Sequence, residues 1–209
     1  MSKIRILLIT LGIICTLSSY AQEEFFKNNT GLSVSGSSNF STSNEGSLSL
    51  HLKNGLIFSG SIILPNEGIY NPTITTIGYL FDLNKKSEKD KLNIIISLSD
   101  LSIQSDLFRS ISPTLGIMYT SFNNEDYPTS LGLSTSAYIE DYYPIKIAAS
   151  DLSFYFAQAF FASKTVYPLV GLTYSIPLTH EWYTQSGGSF LFHVGLNIRL
   201  SKPDAKLKE

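Results

Sequence analysis

The sequence predicts an all-β protein: a closed antiparallel transmembrane β-barrel of about ten strands, within a range of about eight to twelve. Two observations lead to this prediction. Apolar residues recur at every second position in many short stretches, and small polar residues fill the positions between them. Charged residues make up only 15% of the 209 residues, whereas soluble domains average about 25%. A chain of this length can form a single domain.

The stretch SFLFHVGLNIRL, residues 189–200, shows the alternation most clearly. One face collects Phe190, Phe192, Val194, Leu196, Ile198 and Leu200, and the other collects His193, Gly195, Asn197 and Arg199. Successive side chains of a strand point to opposite faces of the sheet, so this segment has one apolar and one polar face. The same pattern predicts strands within residues 30–41, 46–53, 75–83, 91–99, 113–120, 130–138 and 168–176.

The segment LKNGL predicts a tight hairpin and its register. A three-residue loop at 53–55, with the glycine in the left-handed conformation, places Leu52 opposite Leu56 and Leu50 opposite Phe58. A two-residue turn would instead place leucines opposite serines. We favour the three-residue loop, because it keeps apolar side chains paired across the two strands.

Two adjoining segments are harder to assign. Residues 143–150 form the weakest of the predicted strands. In residues 150–164, the alternation holds at Leu152, Phe154 and Phe156 and is broken at Ala157, Ala159, Phe160 and Phe161. This second segment could be a strand that is buried on both faces or a short helix, and we favour the strand.

The N-terminus has the layout of a secretory signal peptide. Lys3 and Arg5 make a basic start, residues 6–17 are mostly apolar, and a small-x-small junction ends at Ala21. The apolar run is shorter than the roughly 20 residues that a membrane-spanning helix needs. We therefore divide the chain into a signal peptide at 1–21, a barrel domain at 22–201 and a charged C-terminal tail at 202–209.

Removal of the signal peptide would also remove the single cysteine, Cys15. A lipoprotein is the alternative, but Ile14 precedes this cysteine where lipidation requires a small residue. Without Cys15, the mature chain would have no disulfide and no thiolate chemistry. It would also be more acidic than the full chain, whose net charge is −2, and this argues against nucleic acid as a partner.

Either a lipid-facing barrel or a soluble sandwich could have one apolar face on every strand. Serine, glycine, threonine and asparagine dominate the smaller faces and suit a crowded barrel interior, while charge concentrates at 85–91 and 202–209. Aromatic residues lie beside predicted loops, as in a membrane-interface girdle: Phe25, Phe26, Tyr70, Tyr127, Tyr142, Tyr143, Trp182 and Tyr183. We favour the barrel, and a soluble secreted β-sandwich binding module remains the alternative.

The alternating strands, the Ser-Tyr-Ala/Gln junction and the closing strand FLFHVGLNIRL resemble the small outer-membrane β-barrel proteins of Gram-negative bacteria, over about residues 30–200. The resemblance implies a porin-like architecture, a location in the cell outer membrane, contact with outer-membrane lipid and insertion by the barrel assembly machinery. Family members often end on an aromatic residue of the last strand. This chain instead continues through SKPDAKLKE.

Polar residues at both ends of the barrel domain predict a cluster in the lumen. The candidates are His51, Lys53, His193, Asn197 and Arg199. A closed barrel places its first and last strands side by side, so these residues could meet. We favour a hydrogen-bonded plug over an ion or proton site, although histidine titrates near neutral pH.

No catalytic, cofactor or metal site is predicted. Ser49 and His51 would both face the lumen without an orienting acid, and a nucleophile needs such a base and orienter. His180 and Glu181 form a lone pair with no evident third metal ligand.

We therefore expect a non-enzymatic protein with a structural role, or with loops that contact an unidentified extracellular or periplasmic partner. Passive passage of a small solute through the lumen is the alternative. Both ends of the barrel domain should lie in the periplasm, and a barrel of this size should be mostly filled by side chains.

Overall fold

The computed structural model describes residues 30–38, 43–65, 73–84, 87, 89–103, 108–140, 146–178 and 189–200. Within these ranges the chain forms ten strands: β1 (Gly31–Ser38), β2 (Ser43–His51), β3 (Leu56–Pro65), β4 (Thr73–Asp82), β5 (Asp90–Ile103), β6 (Phe108–Ser121), β7 (Thr129–Glu140), β8 (Lys146–Ala159), β9 (Val166–Pro177) and β10 (Ser189–Arg199). The described residues contain no helix long and apolar enough to cross a membrane.

Each strand pairs antiparallel with the next, and β1 pairs with β10, so the sheet closes into a barrel. The predicted fold class is therefore confirmed. Gly31 at the start of β1 lies opposite Arg199 at the end of β10. This end, called the terminal end, also carries the turns at 52–55, 122–128 and 160–165, and β4 ends and β5 begins there. The opposite end is called the distal end.

The predicted hairpin at 53–55 is confirmed. Leu50 pairs with Phe58, and the Leu52 N–H donates to the Leu56 carbonyl at 2.8 Å. Gly55 has a φ of 92°, which lies in the left-handed region that glycine adopts without strain. A Cβ on Gly55 would lie 2.6 Å from the Leu80 carbonyl oxygen of β4, so the turn needs glycine for space as well.

The strand assignment of residues 150–159 is confirmed, and the short-helix alternative is wrong. The predicted strands at 143–150 and 150–164 are in fact one strand, β8, from Lys146 to Ala159. Alternation continues to its end, because Ala157 and Ala159 occupy inward positions and are fully buried. Residues 160–165 form the following turn, where Phe161 has a φ of 58°. The aromatic run broke the predicted pattern because the strand stops there.

The apolar face of the barrel lies outside. Phe192 and Leu196 of β10 are 52% and 50% exposed, whereas Ser33 of β1, on the inner face, is 1% exposed. The described strands form one closed sheet with no second sheet against it. The soluble sandwich is therefore wrong, because its core would cover these apolar side chains.

Of the residues predicted for the aromatic girdle, only Tyr127 lies within the described residues. Tyr127 is 41% exposed, and its ring centroid lies 6.2 Å from that of Phe160 and 5.6 Å from that of Phe161. These three rings join the turns at 122–128 and 160–165 on the outer edge of the terminal end. The other predicted girdle residues lie outside the described residues: Phe25, Phe26, Tyr70, Tyr142, Tyr143, Trp182 and Tyr183.

A glycine inside the barrel makes room for an aromatic ring. Gly132 of β7 pairs with Tyr155 of β8, and a Cβ on Gly132 would lie 1.8 Å from the Tyr155 Cζ. The Tyr155 ring therefore covers the glycine backbone, an arrangement that stabilises glycine within a sheet. Tyr155 is only 3% exposed, so its ring has little room to move away.

We predict that Gly132→Ala lowers the free energy of unfolding by about 1 to 3 kcal/mol, because the new methyl group overpacks a filled interior. The measurement is urea unfolding in lipid vesicles, followed by β-sheet circular dichroism. Gly46→Ala is the control, because no atom lies within 4 Å of the added Cβ. Equal stability of the two variants would contradict the predicted contact.

Candidate functional site: the barrel interior

Hydroxyl groups on the inner face pair across neighbouring strands. The pairs and their oxygen–oxygen distances are Ser35–Ser47 at 2.5 Å, Thr76–Ser99 at 2.8 Å, Thr114–Ser136 at 2.8 Å, Thr120–Ser130 at 2.9 Å and Ser153–Ser175 at 2.6 Å. A hydroxyl is both donor and acceptor, so two of them satisfy each other without any charge. The interior wall is thus polar but largely neutral.

Two carboxylates of the described residues lie buried in this wall: Glu45 of β2, which accepts from the Ser37 hydroxyl at 3.0 Å, and Asp151. Asp151 of β8 is 1% exposed. One of its oxygens accepts from the Ser136 backbone N–H at 3.1 Å, and the other accepts from the Ser153 hydroxyl at 3.2 Å. Thr135 also donates to the Asp151 carbonyl at 2.8 Å. These contacts hold the side chain against the β7–β8 wall rather than across the lumen.

Apolar side chains fill the interior towards the terminal end. This apolar plug consists of Ile57, Ile95, Met118, Tyr155, Ala157, Ala159, Ala162, Tyr167 and Leu169, and each member is at most 3% exposed. Ile57 and Tyr167 are the second residues of β3 and β9, and Ala159 is the last residue of β8. The plug therefore lies just inside the terminal end. Side chains this buried pack closely against one another.

Charged groups close the terminal end beside the plug. Lys91 Nζ lies 2.6 Å from Asp82 Oδ2, with side chains that are 9% and 20% exposed. Arg199 donates to the Ala162 carbonyl at 2.9 Å, and its guanidinium lies 5.8 Å from the centroid of the Tyr167 ring. The Arg199 contact fastens the turn at 160–165 to the last strand.

The two terminal-end turns are also fastened to each other. The Ala162 N–H donates to the Asp126 carbonyl at 3.0 Å, and the Ser163 hydroxyl donates to the Asp126 carboxylate. Ala162 and Phe122 are buried, at 3% and 5% exposure. Parts of both turns therefore pack into the barrel mouth instead of extending away from it.

Three of the five residues predicted for the polar cluster lie near one another. His51 and Arg199 both pair with Gly31, one from each side, so their backbones are about 10 Å apart. Asn197 lies two residues before Arg199 on β10, and its side-chain oxygen accepts from the Ser33 hydroxyl at 2.5 Å. These residues flank the β1–β10 seam at the terminal end.

The other two predicted residues lie elsewhere. His193 is six positions from Arg199 along β10, about 20 Å at the rise of a strand, and its Nε2 lies 2.8 Å from the Thr173 hydroxyl. Lys53 is exposed in the β2–β3 turn, outside the interior. The hydrogen-bonded plug that the sequence predicts for the five polar residues stays a prediction.

The structure describes only some of the residues considered for catalysis and metal binding. Ser49 and His51 are neighbours on the inner face of β2, at 1% and 3% exposure. No three His, Cys, Asp or Glu side chains of the described ranges lie close enough together to hold a metal ion. His180 and Glu181 lie outside the described residues.

Sequence reasoning missed the apolar plug and the Lys91–Asp82 pair. The plug could have been found by extending the alternation to the strand ends. Val170 and Leu172 share the apolar outer face, so the same count puts Tyr167 and Leu169 on the inner face. The pairing of Asp82 with Lys91 depends on the β4–β5 register, which the alternation does not fix.

Comparisons with known proteins give only distant likenesses. No family model and no curated protein matches the sequence. Among solved structures, the KdgM porin is 12% identical, with 82% of this chain and 99% of that chain covered and a TM-score of 0.42. The NanC porin is 11% identical, covering 82% and 100%, with a TM-score of 0.46. OmpT, an outer membrane protein of Vibrio cholerae, is 5% identical, covering 75% and 55%, with a TM-score of 0.38.

Similarities this distant do not establish the class of the protein, so its assignment rests on the features of this chain. A closed sheet with paired strands, an apolar outer face and a polar inner face is the arrangement that hydrocarbon permits. The protein is a transmembrane β-barrel of the outer-membrane type. The predicted closed barrel with a lipid-facing outer wall is thereby confirmed, and its location in the outer membrane stays a prediction.

We predict that Asp82→Leu lowers the free energy of unfolding by about 1 to 3 kcal/mol, because it leaves the Lys91 ammonium buried without its partner. The double variant Asp82→Leu/Lys91→Met should recover stability to within about 1 kcal/mol of the parent, because apolar side chains can replace a buried ion pair. Urea unfolding in vesicles measures both changes. Failure of the double variant to recover would show that the pair itself stabilises the barrel.

Proposed function

We propose that this protein is a non-enzymatic outer-membrane barrel, closed to free diffusion, that acts through the surfaces it presents to the membrane and at its two ends. Its role is then structural, or consists of contact between its loops and a partner. The observation that carries the proposal is the apolar plug, which occupies the interior beside the terminal end.

The plug supports a closed barrel because its bulky members fit together without space for solvent. Met118 and Tyr167 are 0% exposed and Tyr155 is 3% exposed. An ion crossing this layer would lose much of its hydration shell among mostly apolar side chains, which is unfavourable. The turns over the terminal mouth, held by Arg199 and Asp126, add a second barrier in series.

The burial of Ser49 and His51 supports a non-enzymatic role. A nucleophile must be reached by its substrate, and its base must be oriented by a third group. Both side chains face the filled interior, away from the lipid that surrounds the barrel. A lipid substrate would therefore have to enter the plug region to reach them.

We predict that the purified protein gives no conductance steps in a planar lipid bilayer. Met118→Ala combined with Tyr167→Ala should give steps, because the two truncations remove a methionine and an aromatic ring from the same layer. Phe192→Ala/Leu196→Ala is the matched control, since these side chains face lipid and their loss leaves the interior unchanged. Regular steps from the unmodified protein would contradict the proposal.

Passive passage of a small neutral solute is the second candidate. The hydroxyl pairs that line much of the interior favour it, because neutral donors and acceptors can replace the hydration of an uncharged solute without attracting ions. Swelling of proteoliposomes in sugar solutions tests it. Swelling by the unmodified protein, lost on Met118→Trp, would support a path through the plug layer.

A further inference from the structure

The regular pairing of the sheet is interrupted on both sides of β7, close to its distal end. On the β6 side, Ile111 pairs with Ile139 and Thr114 pairs with Ser136; the structure describes the two positions between them, but no residue pair joins these. On the β8 side, the register shifts between Tyr138 and Ile139. The two irregularities therefore flank the same part of β7.

A proline explains the interruption on the β6 side. Pro113 has no backbone N–H, so it cannot donate a ladder bond, and for this reason proline is rare in the interior of a sheet. The segment of β7 beyond this point, residues 137–140, is called the β7 tip. Only Ile139 and Glu140 of the β7 tip pair with β6. The register shift on the β8 side marks a bulge, and a bulge lets a strand bend locally.

Side-chain contacts hold β7 where the regular pairing stops. The Asp151 carboxylate accepts from the Ser136 backbone N–H at 3.1 Å, and the Thr135 hydroxyl donates to the Asp151 carbonyl at 2.8 Å. Farther towards the distal end, the Ser110 hydroxyl donates to the Ile139 carbonyl at 3.3 Å, which is long for a bond from a hydroxyl. The base of the β7 tip is thus fastened by a buried side chain, whereas its end is held more weakly.

We propose that the β7 tip is a movable part of the barrel wall, which detaches from β6 and opens the distal interior beside Ser112. Asp151 keeps the base of the tip in place. Detachment breaks two residue pairs and the Ser110 contact, whereas the rest of the seam holds eight consecutive pairs, from Thr114 to Ser121. Segments held by few contacts open locally while the rest of a fold stays intact. This movement does not depend on whether the lumen conducts.

The first test is amide hydrogen exchange of the barrel in lipid nanodiscs, followed by mass spectrometry. We expect the amides of residues 137–140 to exchange at least about tenfold faster than those of residues 131–134. Pro113→Val should remove most of this difference, because valine supplies the missing N–H and suits a strand. Pro168→Val is the matched control. It adds an N–H to β9, where Pro168 pairs with Leu196 in an uninterrupted register, and should leave exchange in β7 unchanged.

The second test is thiol labelling from the interior, in a barrel whose single cysteine, Cys15, is replaced by serine. Ser112 and Ser134 make a matched pair of probes. They are 2% and 3% exposed on the inner face, and neither hydroxyl has a hydrogen-bond partner among the described residues. Ser112→Cys should react with a water-soluble maleimide about tenfold faster than Ser134→Cys, and adding Pro113→Val should bring the two rates together.

Asp151→Ala tests the base of the tip, and should extend fast exchange to Thr135 and Ser136. Either of two results would overturn the proposal: slow exchange of the β7 tip in the unmodified barrel, or fast labelling of Ser112→Cys that survives Pro113→Val. The second result would mean that the reagent enters through the distal mouth. A disulfide between Ile111→Cys and Ile139→Cys decides the matter if Pro113→Val fails to fold, because it should slow exchange of the tip only while oxidised.

Discussion

Closure of the sheet is the constraint on which the rest of the structure depends. Hydrocarbon offers no hydrogen-bond partner, so every backbone N–H and C=O group within it must be paired inside the protein. The β1–β10 seam supplies the last set of partners, from Gly31 opposite Arg199 to Ser38 opposite Phe192. Once the sheet closes, one face of every strand must meet lipid and the other must share a narrow interior.

The narrow interior explains which residues are found there. Every second side chain of ten strands points into the same space, so only small groups, or larger groups that fit one another, can be accommodated. Serine and threonine are small enough for this interior. Their hydroxyl groups also form hydrogen bonds with each other, as Thr114 does with Ser136. Formal charges occur where a partner is fixed, as with Lys91 and Asp82. Many large apolar side chains collect in the plug, where Gly132 leaves space for the Tyr155 ring. Others lie buried towards the distal end: Ile63, Ile74, Leu101 and Leu191.

Alternation along the chain was enough to predict the strands, the closed barrel and the orientation of its faces, because the side-chain period of two is a local property. The register of the hairpin at 53–55 could also be predicted, since the turn fixes it. The height of each residue along the barrel axis could not be predicted from the sequence. His51 and His193 face the same interior, yet the pairing registers place one opposite Gly31 and the other opposite Ser37. That stagger is set by all ten pairings together. The end of β8 was obscured for a different reason, because inward alanines look like a break in the pattern.

The places where the polarity pattern of the inner face reverses are the most informative about the interior. Where the wall is otherwise hydroxylated, Met118 and Tyr167 belong to an apolar layer, and Ile63 and Leu101 lie buried towards the distal end. Serine at these positions would continue the pattern of the inner face, so the alternation alone does not account for them. Local rules that are broken in a stable fold are expected at sites selected for another purpose.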